Sequence, residues 1–211
     1  MKNNYDKIAP YYDRMSRLVF GRAQVNAQLS LLGHIKPGSS ILIAGGGTGW
    51  ILEALAQKYP EGLQITYIEI SGAMLDISRK KNYGRNKVEF IHMAIEDFTT
   101  QQLYNTIITP FLFDNFSAER AAKTFTLLDN LLLNGGNWLF TDFTYNKTAP
   151  LWQRLLLRIM YLFFHTVSHV EASSLPDMET LFIKHDYVPA SRSSWYGGFI
   201  QAIAYYKESR P

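Results

Sequence analysis

The feature of the sequence that most constrains the fold is a glycine-rich stretch at residues 41–50, which reads ILIAGGGTGW. Three β-prone apolar residues begin it, four glycines follow within five positions, and an apolar pattern at helical spacing comes next, at residues 51–59. Glycines allow the backbone to turn sharply and to approach a ligand closely because they lack a Cβ atom. The stretch therefore predicts a strand, a tight loop and a helix whose first N–H groups point at a bound ligand.

Strands and helices alternate through the following residues, which is typical of a parallel sheet with helices on both faces. Near the C-terminus, residues 190–196 and 199–206 predict a hairpin joined across Gly197 and Gly198. The predicted fold is therefore α/β, Rossmann-like and doubly wound, with a mostly parallel seven-stranded sheet that ends in an antiparallel C-terminal hairpin. The intervening strands are predicted at residues 63–70, 88–93, 105–109 and 137–143, and the helices at residues 50–59, after a Ser71 cap, and at residues 117–132.

Residues 1–35 are predicted to form a helical lid that packs on the main domain, which comprises residues 36–211. Pro10 is expected to break the first helical piece of this lid. A cap helix is predicted at about residues 150–170, and a short helix at residues 176–185 follows it. The chain is thus predicted to be one domain with a lid at its start and a cap before the hairpin.

Composition excludes several classes of function. The chain has 211 residues and no cysteine, which excludes disulfides, thiolate metal sites, iron–sulfur clusters and cysteine nucleophiles. A formal net charge of +3 is too small to require a nucleic-acid partner. The N-terminal residues contain no apolar run that predicts a signal peptide, and arginines interrupt the most apolar segment, residues 151–170. We therefore expect a cytoplasmic protein without a membrane-spanning helix.

The spacing of the glycines restricts the kind of ligand. Gly45, Gly47 and Gly49 alternate with other residues, whereas dinucleotide-binding loops follow G-x-G-x-x-G, and no lysine-bearing P-loop is present. Glu69 lies twenty residues after Gly49, at the end of the second predicted strand. A carboxylate at that place can accept hydrogen bonds from both hydroxyls of a ribose. The pattern favours a nucleoside-containing cofactor other than a dinucleotide.

At these motifs the sequence resembles the class I S-adenosylmethionine-dependent methyltransferases, and the resemblance covers roughly residues 36–206. The run IEISGAMLDISRKK resembles the second strand of that family, with its ribose-binding acid and the following helix. The run LLLNGGNWLFTDF resembles its loop and fifth strand. The opening YDKIAPYYD is similar to the N-terminal lid of small-molecule members, including the quinone-biosynthesis C-methyltransferases.

The resemblance implies S-adenosylmethionine as cofactor and a role for each matching residue. The glycine loop would face the methionine part of the cofactor, Glu69 would bind the ribose, and Ile70 would pack on the adenine. The turn after the third strand would surround the adenine, the end of the fourth strand would lie beneath the methyl donor, and a lid tyrosine would close over it. The implied cofactor-binding residues are Gly45, Gly46, Gly47, Gly49, Glu69, Ile70, Met93, Ala94, Ile95, Thr109, Pro110 and Tyr12.

Two positions depart from the family pattern. The family often has an acid two residues before the first glycine of the loop, which helps to hold the amino group of the cofactor, and this chain has Ile43. The family also tends to carry Asp in the adenine turn, where this chain has Met93. Glu96, Asp97 or main-chain groups are the candidate substitutes for that second acid.

The resemblance predicts methyl transfer to a small molecule. Enzymes that methylate amino groups of DNA bases or protein amides carry N-P-P-Y after the fourth strand, and of this motif residues 109–112, TPFL, keep only the proline. We therefore expect a small, apolar or aromatic acceptor and no nucleic acid as partner. The alternative is a non-enzymatic S-adenosylmethionine-binding protein with a regulatory or partner-binding role. The oligomeric state and the acceptor atom stay open.

The catalytic candidates are three side chains that could reach an acceptor pocket, Asp142, Asp114 and His165. For Asp114 we favour a cap on the helix that begins near Ser117. For Asp142, at the C-terminal end of the fifth strand, a structural and a ligand-binding role are both open. A general base is needed only when the acceptor must lose a proton, because methyl transfer depends mainly on positioning.

The predicted cap helix carries its charges on one face. His165 and His169 stand four residues apart, but the H-E-x-x-H glutamate and a third ligand are missing, so no metal site is predicted. We favour a packed surface helix, with two alternatives: a cover over the acceptor pocket, or peripheral contact with an anionic membrane surface without stable insertion. The cationic residues Arg154, Arg158, His165 and His169 share one face, and Trp152, Ile159, Met160, Phe163 and Phe164 lie on or towards the other.

Overall fold

One seven-stranded sheet organises the computed structural model, which describes residues 5–145, 150–168 and 174–208. The strands, numbered along the chain, are β1 (Ser40–Ala44), β2 (Glu61–Glu69), β3 (Arg85–His92), β4 (Tyr104–Pro110), β5 (Leu132–Phe143), β6 (Tyr187–Trp195) and β7 (Ile200–Lys207). Their order in the sheet is β3-β2-β1-β4-β5-β7-β6. The first five strands pair in parallel, and β7 pairs antiparallel with both β5 and β6. The predicted fold is confirmed.

Helices cover the sheet on both faces. They are α1 (Ala9–Phe20), α2 (Ala23–Leu29), α3 (Trp50–Lys58), α4 (Gly72–Ser78), α5 (Ala118–Leu131), α6 (Leu151–Ser168) and α7 (Met178–Lys184). The Ser71 hydroxyl accepts a hydrogen bond from the Met74 N–H at 3.2 Å, which is the predicted cap of α4. None of the helices in the described residues combines the length and the apolarity that a membrane span needs.

Two predicted boundaries are wrong. Pro10 lies in the first turn of α1 and does not break it, because proline lacks an N–H group at a position where a helix has no partner for one. β5 begins at Leu132, whereas we expected this strand at residues 137–143, so the run Asn134-Gly135-Gly136 lies within the strand. The strand begins earlier because Leu132 already pairs with Tyr104 of β4, and the register shifts after that pair.

The central parallel strands β1 and β4 are buried on both faces, as a doubly wound sheet requires. In β1, Ile41 and Ile43 point to one core, which α2 and α3 cover, and Leu42 points to the other, which α5 and α7 cover. None of these three side chains is exposed at all. Continuous apolar runs in the sequence therefore mark the centre of the sheet.

An aromatic cluster fills the core beneath α5 and α7. The Phe125 and Trp138 rings stack with their centroids 4.9 Å apart, and the Phe182 and Tyr205 rings stack at 3.8 Å. The Trp138 indole N–H donates to the Thr109 hydroxyl at 2.9 Å, so its polar atom is satisfied inside the core. This cluster joins α5, α7, β5 and β7 and fixes the C-terminal hairpin on the sheet.

We expect Phe182→Ala to lower the free energy of unfolding by about 3–5 kcal/mol, because a large buried ring leaves a cavity. Ile183→Ala is the matched control. Ile183 is the next residue on α7 and is 65% exposed, whereas Phe182 is 0% exposed. The measurement is urea denaturation followed by far-ultraviolet circular dichroism. Equal losses for the two variants would contradict the assignment of Phe182 to the core.

Candidate functional site

The glycine loop between β1 and α3 needs glycine for two different reasons. A Cβ at Gly46 would lie 2.2 Å from the Tyr67 ring, and a Cβ at Gly49 would lie 2.5 Å from the Ser78 Cβ, so the protein itself packs against these two glycines. At Gly47 the corresponding space is open, with no atom within 4 Å, and its φ of +65° is the left-handed conformation that favours glycine. Gly47 thus presents bare backbone to the space above the loop.

Glu69, at the end of β2, fixes this loop. One carboxylate oxygen accepts from the Gly47 N–H at 2.8 Å, and the other accepts from the Ser71 N–H at 2.8 Å. Burial raises the pKa of Glu69, and the Ser71 and Gly47 amides partly offset that rise by stabilising the carboxylate. A carboxylate offers about four lone-pair positions, so two stay available to a ligand. The sequence indicated the ligand-facing role of Glu69 but not its hold on the loop.

A cleft opens above the glycine loop and Glu69. It lies at the carboxyl ends of β1, β2 and β4, where the chain switches from one side of β1 to the other, which is the usual place of ligands in open α/β sheets. The predicted cofactor residues that line it are Tyr12, Gly45, Gly46, Gly47, Glu69, Ile70, Met93, Ala94, Ile95 and Pro110. Their roles as ligands stay predictions.

Two of the predicted cofactor residues do not line the cleft. Gly49 packs against Ser78 at the start of α3. Thr109 is fully buried and its hydroxyl accepts the hydrogen bond from Trp138. Successive side chains of a strand point to opposite faces, so Thr109 faces the core while the next residue, Pro110, reaches the cleft.

An acid from the lid lies in the cleft wall, and sequence reasoning missed it. The Asp13 carboxylate accepts from the Thr48 hydroxyl at 2.7 Å, which brings a carboxylate from α1 to the glycine loop. Ile43, the position at which the family often has an acid, is fully buried in the core. Of the two acids considered as substitutes in the adenine turn, Glu96 lines the cleft and pairs with Arg120.

Residues 5–20 contact three loops around the cleft. The Tyr5 hydroxyl donates to the Asn115 side-chain oxygen. Asp6 accepts from the Ser71 hydroxyl at 2.6 Å and from the Ala73 N–H at 3.1 Å, and the Ser71 hydrogen bond lowers the pKa of Asp6. With the Asp13–Thr48 contact, these bonds place the segment across the cleft. Its function as a lid stays a prediction, and residues 1–4 lie outside the described part.

A second cavity adjoins the cleft and lies between α1 and α6. The two share Tyr5, Tyr12 and Asn115 as a common wall. Among the described residues that line the second cavity, Asp114 is the single carboxylic acid. The apolar lining consists of Met15, Val19, Phe20, Phe143, Leu156, Ile159, Met160 and Phe163.

Asp142 and Asp114 form a buried acidic pair beside this cavity. Asp142 accepts from the Phe113 N–H at 3.0 Å and from the Phe143 N–H at 2.8 Å, so it anchors the turn after β4. Burial raises the pKa of Asp142 to about 7. Burial, followed by repulsion from Asp142, raises the pKa of Asp114 well above its usual range. The pair therefore holds a proton at a pH where exposed carboxyls are ionised.

The other predictions about catalytic groups have different outcomes. Ser117 itself caps α5 by accepting from the Arg120 N–H at 3.3 Å, so the favoured role of Asp114 as a helix cap is wrong. His165 is exposed on α6 and lines neither cavity, and His169 lies outside the described residues. The structure adds Tyr161 of α6, whose buried hydroxyl has no hydrogen-bond partner within the described residues. Burial, then Asp114 and Asp142, raise the pKa of Tyr161.

We expect Asp114→Asn to raise stability at pH 7.5 by on the order of 1 kcal/mol, because it removes a buried carboxyl whose pKa is raised. A raised folded-state pKa contributes stability below the unfolded pKa, and that contribution is lost as the pH rises towards neutrality. Urea unfolding at a series of pH values should thus give a flatter profile for the variant. Asp177→Asn, at the exposed cap of α7, is the control, and parallel profiles for wild type and Asp114→Asn would contradict the assignment.

Comparison with known proteins finds similarity to methyltransferases. Residues 41–136 match the family described as a methyltransferase domain. Over 144 residues the chain is 28% identical to the malonyl-[acyl-carrier protein] O-methyltransferase of Priestia megaterium, across 68% of this chain and 51% of that protein. Over 79 residues it is 32% identical to a ubiquinone/menaquinone biosynthesis C-methyltransferase of Legionella pneumophila, across 36% of this chain and 32% of that protein. The chain thus spans about half the length of the first relative and about a third of the second.

A solved structure shows the same fold. The magnesium protoporphyrin IX methyltransferase from Synechocystis, crystallised with bound SAH, superposes with a TM-score of 0.64 at 19% identity, over 88% of this chain and 83% of that chain. The chain therefore contains a methyltransferase domain at residues 41–136 and has the fold of the class I S-adenosylmethionine-dependent methyltransferases.

Proposed function

We propose that this chain transfers a methyl group from S-adenosylmethionine to a small, apolar or aromatic molecule. The observation that carries the proposal is the apolar cavity between α1 and α6, which shares a wall with the cleft above the glycine loop. A cofactor in the cleft and an acceptor in the cavity would meet at Tyr5, Tyr12 and Asn115. The relatives named above act on different acceptors, so the acceptor is inferred from the cavity alone.

The residues of the cleft fit S-adenosylmethionine. Gly47 presents open backbone, and Glu69 retains lone pairs for two ribose hydroxyls. Asp13 supplies, from the lid, the carboxylate for the cofactor amino group that Ile43 cannot supply. Met93, Ala94 and Ile95 form the wall proposed for the adenine. When bound, the cofactor supplies an electrophilic methyl group on a positively charged sulfur.

The second cavity can position and dry an acceptor. Its aliphatic and aromatic lining excludes water, and a nucleophile held close to a methyl donor in a dry site needs little further assistance. Where the acceptor has an acidic O–H group, Asp114 is placed to accept its proton as a carboxylate.

Asp13 tests the cofactor part of the proposal. We expect Asp13→Asn to weaken binding of S-adenosylmethionine about tenfold, the scale of one hydrogen bond to a charged group, because the amide keeps the Thr48 contact but loses the charge. Asp6→Asn is the matched control on the same segment, since Asp6 contacts Ser71 and Ala73 and does not line the cleft. Isothermal titration calorimetry gives both affinities. An unchanged affinity of Asp13→Asn would show that another residue binds the amino group of the cofactor.

Turnover tests the acceptor part. Formation of S-adenosylhomocysteine is measured with apolar phenols, with amines of the same shape and with charged hydrophilic alcohols, and we expect turnover with the phenols. Asp114→Asn should lower kcat by about a hundredfold or more, the range of general base catalysis, with the cofactor affinity unchanged. The wild-type rate should rise with pH as Asp114 loses its proton. Asp177→Asn is again the control.

The non-enzymatic alternative gives a different outcome. Cofactor binding without formation of S-adenosylhomocysteine from any acceptor would favour a regulatory or partner-binding protein. The departures at Ile43 and Met93 motivate that alternative, and the position of Asp13 beside Thr48 weighs against the first of them. Failure to bind the cofactor at all would reject both proposals.

A further inference from the structure

We propose that the outer face of α1 and α6 docks on the surface of an anionic lipid membrane. The docking face consists of exposed aliphatic side chains and arginines on these two helices. Its aliphatic members are Leu18 and Val19 of α1 and Leu151, Leu155, Ile159 and Leu162 of α6. Its cationic members are Arg14 and Arg17 of α1 and Arg154 and Arg158 of α6.

α6 is apolar on two sides. Its inner side packs on the core through Leu156, Leu157 and Met160. Its outer side nonetheless exposes Leu155 by 61% and Leu162 by 70%. A helix that only covers a core has polar residues on its outer side, so exposed leucines in a row indicate a surface that binds something. The sequence predicted a cationic outer face, and the structure places these leucines on it as well.

α1 extends the same surface. Leu18, near the end of α1, is 88% exposed, and Val19 next to it is also exposed. Val19 and Ile159 both line the cavity between the helices, so the exposed aliphatic residues of α1 and α6 meet at the mouth of that cavity. The docking face therefore surrounds an entrance to an apolar cavity.

The charge of the face identifies the partner. The sequence of α6 contains no acidic residue, and the single acid of α1, Asp13, points to Thr48. The exposed charges of both helices are consequently all positive. Aliphatic side chains flanked by arginines fit the boundary between acyl chains and anionic headgroups, where each cationic residue adds to binding. Trp152, which is 44% exposed, is of the kind that prefers this boundary.

Two exposed residues of the docking face, Val19 and Ile159, also line the cavity, so a membrane at this face would lie beside the cavity. An apolar acceptor dissolved in a bilayer could enter the cavity without crossing water, because the aliphatic rim would lie among the acyl chains. The proposed membrane docking does not depend on the proposed methylation, because it requires only the docking face of α1 and α6. Its test is accordingly a binding measurement without cofactor or acceptor.

The test is sedimentation of the full chain with vesicles. We expect binding to vesicles of phosphatidylcholine mixed with phosphatidylglycerol, weaker binding as salt is added, and little binding to phosphatidylcholine alone. Arg154→Glu/Arg158→Glu should lower the partition coefficient about tenfold or more. Leu155→Gln/Leu162→Gln should also lower it several-fold, because it removes apolar area from the bilayer. Absence of binding by the wild-type chain to the anionic vesicles would overturn the proposal.

The matched control makes the same change in net charge at a site outside the docking face. Lys36→Glu/Lys87→Glu reverses two exposed lysines, one just before β1 and one in β3, away from α1 and α6. It should leave vesicle binding within about twofold of the wild type, and a loss as large as that of the α6 variant would show attraction by net charge alone and reject the docking face. Circular dichroism confirms that each variant is folded. A wild-type chain that elutes as a dimer, with Leu155→Gln/Leu162→Gln eluting as a monomer, would assign the face to a second copy and also reject the proposal.

Discussion

The hydrogen bonds of the Glu69 carboxylate hold together the two loops on which the cleft depends. Glu69 joins the glycine loop after β1 to the turn after β2 through the amides of Gly47 and Ser71. Ser71 in turn caps α4 and donates its hydroxyl hydrogen to Asp6 of the lid segment. A continuous series of hydrogen bonds thus runs from the lid to the glycine loop. The same carboxylate therefore connects the glycine loop, through Ser71, to the N-terminal segment.

The two cavities differ in the physical character of their walls. The cleft above the glycine loop is lined by backbone, by Glu69 and Asp13, and by the Glu96–Arg120 pair, which suits a polar and charged cofactor. The cavity between α1 and α6 is lined almost wholly by hydrocarbon, with Asp114 in its wall. Asp142 is buried and accepts from two backbone amides, whereas Asp114 is half-buried and lines the second cavity. The two neighbouring acids therefore differ in their surroundings.

The sequence predicted the features that depend on local patterns. Alternating strands and helices, the glycine loop and the acid at the end of β2 are all encoded within short segments, and the structure confirms the fold that they imply. The contacts of the lid could not be predicted, because Tyr5 and Asn115 lie 110 positions apart in the chain. We expected Thr109 to line the cleft, but its side chain faces the core. Side chains alternate between the two faces of a strand, so an error of one position places a residue on the wrong face. Asp13 is part of the lid-like motif at the start of the sequence, but that motif does not indicate that Asp13 contacts Thr48.

Gly46 and Tyr67 illustrate how the binding loop depends on the strand behind it. The Tyr67 ring occupies the space that a side chain at position 46 would fill, and its hydroxyl donates to the Gly47 carbonyl at 3.0 Å. A smaller residue at position 67 would leave the loop without support, and a larger residue at position 46 would have no room. The two positions are therefore physically coupled: a side chain at position 46 needs a smaller residue at position 67 of β2.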